Sequence, residues 1–114
     1  LLVTSDFNFD SLTAFAGEDK EASVSILKTF VEETTKSNAL LEGTLQDDDR
    51  EQSAKISHKM VPLFTMLGAT SLVEKLRVIE KNATTLPVEE WKSLLSEVIA
   101  EVKKIIEQAM TVSK

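Results

Sequence analysis

The chain has 114 residues, a formal net charge of −6, one histidine and no cysteine. That length supports a single hydrophobic core, and an acidic chain without a basic stripe argues against nucleic-acid partners, whose phosphates need clustered Lys and Arg. Without Cys there is neither a disulfide framework nor a thiolate zinc site, which fits a reducing compartment. No apolar run approaches the roughly 18 residues that span a bilayer, so no direct membrane contact is expected. Leu1 to Ser5 lack the basic start and cleavage pattern of a signal peptide, and no Met opens the chain. The expectation is one cytoplasmic domain, 1–114, cut from a longer protein.

Three Gly and two Pro punctuate the sequence, and apolar residues recur at helical rather than alternating spacing. A short first helix is predicted over about Phe9 to Phe15, stopped by Gly17. The second runs over about Asp19 to Leu45, with Ala22, Ile26, Leu27, Phe30, Val31, Leu40, Leu41 and Leu45 as its apolar set. Its middle, Thr34 to Asn38, is polar and a poor helix former. Asp47, Asp48 and Asp49 read as an acidic start for the third helix, about 48–67, which Gly68 closes. The fourth, about Thr70 to Lys81, buries Leu72, Val73, Leu76 and Ile79. Pro87 opens the last, about 87–110, whose stripe is Trp91, Leu94, Leu95, Val98, Val102, Ile105, Ile106 and Ala109. Short connections between long amphipathic helices predict an all-α, up-and-down antiparallel four-helix bundle with a short N-terminal capping helix. A coiled-coil dimer on the last helix is the alternative, although its stripe is wider than a two-position seam.

The one histidine, His58, lies in the third helix. At about 100° per residue, Ile56, Met60, Leu63 and Leu67 fall roughly 140° to 200° away from it and define the expected buried stripe. His58 therefore points to solvent. Ala54, Val61, Pro62 and Thr65 fall within about 60° of it, beside Lys55 and Glu51, and form a small, partly apolar ring suited to docking by another protein. Lys55 and Lys59 are near enough to offset negative charge placed on the imidazole. Pro62 removes the helical hydrogen bond to the His58 carbonyl, at a cost of about 3 kcal/mol.

The run Ser57-His58-Lys59-Met60 to Leu67-Gly68-Ala69 resembles the signature of histidine-phosphotransfer (HPt) domains. That signature has a small residue before the histidine, an apolar residue two after it, and Gly-Ala ten and eleven after it. Phe9-Asp10 and Leu12 at the start, Phe30-Val31-Glu32-Glu33-Thr34 in the second helix and Leu76 to Glu80 after the glycine resemble the family's surrounding pattern. The resemblance spans nearly the whole chain. It departs at Val61 and Pro62, where the family commonly has Lys-Gly.

The resemblance implies a phosphorelay intermediate of two-component signalling. His58 would be the phosphoacceptor through Nε2, taking a phosphoryl group from a receiver-domain aspartate and passing it to another receiver. Lys55 and Lys59 would steady that group, Ala54, Val61, Pro62 and Thr65 would dock the receiver, and Gly68 is structural. No cofactor is expected on this domain; Mg²⁺ would sit on the receiver. Gly17, Gly43 and Gly68 make no phosphate loop, so no ATP-dependent kinase activity is expected. A lone histidine offers neither a nucleophile triad nor a metal-ligand set. The resemblance places the domain within a hybrid sensor histidine kinase, as the cytoplasmic part of a membrane-bound protein. The alternative is a phosphotransfer-inactive, HPt-like helical docking module.

Overall fold

The computed structural model describes residues 9–112, apart from the side chains of Ser11 and Phe15. Leu1 to Ser5, read above for targeting features, lie outside the described residues. The order is α1 (Asp10–Thr13), a 3-10 turn (Ala14–Ala16), α2 (Lys20–Asp47), α3 (Arg50–Met66), α4 (Thr70–Asn82) and α5 (Val88–Val112). The four long helices form a closed ring in which α2 packs on α3 and α5, and α4 packs on the same two. The short N-terminal segment lies against α2, with Phe9 edge-on to Phe30 and Phe30 edge-on to Phe64. This is the predicted four-helix bundle with its cap. No described helix is long and apolar enough to cross a membrane.

Helix ends follow local chemistry. The Asp19 carboxylate accepts from the Ala22 N–H at 3.0 Å and starts α2, and Asp49 accepts from the Gln52 N–H at 3.1 Å and starts α3. The three aspartates do not act together as the start of α3, however. Asp47 ends α2, Asp48 turns the chain with a left-handed φ of 54°, and only Asp49 caps α3. A connection this tight leaves room for two more residues in α2 than the apolar pattern indicated. After α3, Gly68 adopts a φ of 76°. Its N–H donates to the Thr65 carbonyl and the Ala69 N–H to the Phe64 carbonyl, the paired closure that a left-handed residue permits.

Helix α2 runs unbroken through its polar middle because those residues carry the buried stripe. Leu27, Phe30, Thr34, Asn38, Leu41 and Thr44 follow one another at spacings of three or four and are all buried. Leu40, assigned to the apolar set from sequence, lies off that stripe and is 60% exposed. The Asn38 amide donates to the Ile99 carbonyl at 3.2 Å, which fixes α2 against α5. Across the diagonal of the ring, Trp91 of α5 is fully buried and its indole N–H donates to Ser53 Oγ of α3 at 3.0 Å. Arg50 closes that end of the bundle. Its Nε–H donates to the Ala83 carbonyl at 2.5 Å, Nη2 donates to the Leu86 carbonyl, and the guanidinium lies 5.7 Å from the centre of the Trp91 ring.

Two stability changes of opposite sign are expected. Arg50→Ala removes two charge-assisted bonds and a cation–π contact, so the unfolding free energy should fall by about 2 kcal/mol. Pro62→Ala restores the missing helical bond in an α3 that already continues through Pro62, so stability should rise by about 1–3 kcal/mol. Urea denaturation read by circular dichroism measures both, and a Pro62→Ala midpoint at or below that of the natural chain contradicts the second.

Candidate functional site

The site is built on the seam between α3 and α4. The connection between them is only Leu67, Gly68 and Ala69, so the two helices run antiparallel and side by side. His58 stands mid-way along α3 with its side chain 71% exposed. Its Nδ1 lies 2.5 Å from Oε2 of Glu80 on α4, a carboxylate only 27% exposed. An ionised carboxylate oxygen only accepts, so in neutral imidazole the proton sits on Nδ1 and the lone pair on Nε2. One ring nitrogen is tethered, and the other carries the lone pair of a side chain that is largely exposed.

The wheel reading of α3 needs one rotation. Its buried residues are Ser53, Ile56, Ser57, Met60, Val61 and Phe64, with Leu67 beyond them and Leu63 only partly buried. The core side is therefore turned toward Ser57 and Phe64. This places Val61 inside, 8% exposed, and corrects its assignment to the exposed docking ring. Ala54 is half-buried against the same core. Pro62 and Thr65 are exposed beside His58, as are Lys55 and Lys59. Lys59 faces α2, lining a shallow groove with Glu33, Thr34, Ser37, Met60, Leu63 and Phe64. By the same helical arithmetic Lys55 lies about 60° from His58 in that same direction, so both lysines flank the histidine on the side away from α4. Gly68 closes α3 with its φ of 76°.

Glu80 is the residue that the site reading from sequence missed. The signal was present in the three-residue turn, which sets α4 antiparallel to α3 and brings its C-terminal half level with His58. Pro62 adds a second local feature. Its ring replaces the N–H that the His58 carbonyl would accept, and the residue is exposed beside the histidine. Ser57, directly before the histidine, is fully buried and its hydroxyl has no partner among the described residues. Among those residues no group of three or more His, Asp or Glu gathers as a metal-ligand set.

No family model, curated protein or solved structure matches the chain.

The tether has a spectroscopic consequence. Nitrogen-15 NMR of the neutral imidazole should show Nδ1 protonated and Nε2 bare in the natural protein. In Glu80→Ala the two tautomers should mix. A natural protein with the proton on Nε2 contradicts the geometry.

Proposed function

We propose that this domain is a phosphoryl carrier of a two-component phosphorelay, with His58 as the phosphoacceptor. The single observation that carries this reading is the division of labour on the imidazole. Nδ1 is held by Glu80 at 2.5 Å, while Nε2 belongs to a side chain that is 71% exposed in the middle of a rigid helix. A nucleophile that must enter a partner's active site has to protrude, be oriented and carry its lone pair on the outer nitrogen. Resemblance to the HPt signature around His58 supports the same reading.

The chemistry balances without a cofactor on this chain. The Nε2 lone pair attacks the phosphorus of a receiver's aspartyl phosphate, the N–P bond forms and the P–O bond to the aspartyl carboxyl breaks. The receiver keeps its carboxylate. The positive charge that develops on the ring is shared through the Nδ1–H with Glu80, as a carboxylate stabilises an imidazolium in other nucleophilic sites. The reverse steps return the group to a second receiver. Mg²⁺ on the receiver would supply most of the electrostatic stabilisation. Pro62, Thr65 and the exposed edge of Ala54 would form the rim of the docking face, and Lys55 and Lys59 its charged border. The cytoplasmic part of a hybrid sensor kinase is the setting this chemistry suits.

A bundle that docks receivers without taking phosphate is the second reading, favoured by one feature: the apolar Val61 and rigid Pro62 that follow the histidine. Incubation with a labelled, phosphorylated receiver separates the two. Acid-labile, base-stable label should appear on the natural chain, be absent from His58→Gln, and not appear with ATP alone. Label from ATP alone, or label retained in His58→Gln, contradicts the proposal. A natural chain that binds receivers but takes no label from any of them establishes the docking reading instead.

A further inference from the structure

A phosphoryl group on Nε2 brings a charge of about −1.5 to −2 next to an existing carboxylate. Glu80 is fixed to the same ring, so the loaded site concentrates negative charge on the α4 side of His58. The cations of α3 are poorly placed to offset it. Lys59 faces the α2 groove, and Lys55 lies on the same flank. On the α4 side of His58, helix α3 presents the uncharged Ala54, Val61 and Thr65 by the same helical arithmetic.

Helix α4 supplies what is missing. Its faces are set by two contacts: Glu80 meets α3 through His58, and Lys75 meets α5 through Glu97 and Glu101 at 3.2 and 2.9 Å. Lys75 lies about 140° from Glu80 on one side of the wheel, whereas Arg77 lies about 60° from Glu80 on the other, the side that borders α3. Arg77 is one turn before Glu80, level with the His58–Val61 turn across the antiparallel seam. It is exposed and makes no ion pair among the described residues, while Lys75 on the opposite face is taken up by two carboxylates. A guanidinium also matches phosphate oxygens in a planar, two-pronged fashion that a lysine does not.

We propose that Arg77 is the phosphoryl-binding cation of this domain, reaching across the α3–α4 seam to the group carried on His58 Nε2. The inference rests on His58 being the carrier and names the residue that holds its cargo. Arg77 leaves the unloaded imidazole alone and engages only when the phosphoryl group arrives, offsetting the repulsion from Glu80.

The test loads His58 chemically, so it does not depend on any receiver. With potassium phosphoramidate, the N–P bond of the reagent breaks, ammonia leaves and the Nε2–P bond forms. The second ionisation of the phosphoryl group is then followed by phosphorus-31 NMR against pH. Arg77→Gln should raise that midpoint by about half a unit, as expected for loss of a partly screened opposite charge, and Arg77→Lys should restore part of the shift. Lys55→Gln, Lys59→Gln and Lys81→Gln each remove the same charge and should move it less. The Arg77→Gln effect should also shrink at high salt. An unchanged midpoint in Arg77→Gln, or one matched by the lysine variants, overturns the assignment. Failure of every receiver to charge His58 overturns the carrier reading alone, because the chemical loading still reports on Arg77.

Discussion

The antiparallel contact of α3 with α4 is the constraint on which the candidate site depends. Neither helix holds the site alone, since His58 is on one and the carboxylate that tethers it on the other. The contact is enforced at both ends. At one end Gly68 turns the chain within three residues, and at the other Arg50 clamps the start of α3 to the Ala83 and Leu86 carbonyls beyond α4. Between them Ser53, Ser57 and Val61 are buried. Small residues at two of those positions let the backbones approach, which keeps a carboxylate within hydrogen-bond reach of the histidine. A slip of one helical turn along the seam moves Glu80 by about 5.4 Å, enough to lose the bond.

The exposed His58 stands on a scaffold whose rigidity holds it against Glu80. Much of that rigidity comes from polar groups inside the bundle. The Asn38 amide ties α2 to α5, and the Trp91 indole ties α5 to Ser53 of α3. Such bonds are worth only about 1 kcal/mol each. They do, however, penalise any register in which the buried polar atom loses its partner. Oil-like packing alone tolerates sliding of one helix past another; these bonds do not. Pro62 works in the opposite sense, lowering stability next to the histidine by removing a helical hydrogen bond.

How much of this was legible in the sequence depended on whether the deciding interaction was local. Helix number, order and approximate limits followed from apolar spacing, from capping aspartates and from Gly68, because each acts within a few residues. The outward aim of His58 also followed from its neighbours on one helix. Errors arose where small polar residues carry the core. Thr34 and Asn38 continue the α2 stripe although neither is apolar, and Leu40 was counted as core because it is. Ser53 and Ser57 did the same in α3, so the wheel was centred too far toward Leu63 and Val61 was placed outside. Glu80 was missed as a site residue for a different reason. Its relation to His58 passes through the register of α3 against α4, which no single-helix pattern contains.

The central claim is that Nδ1 is tethered and Nε2 is the reacting atom. The most direct measurement is the site of attachment in phosphohistidine formed by transfer from a phosphorylated receiver, read from nitrogen-15 to phosphorus-31 coupling in the intact domain. The account predicts phosphorus bonded to Nε2 of His58, with Nδ1 still protonated and facing Glu80. Phosphorus on Nδ1, or on any other residue, would contradict it.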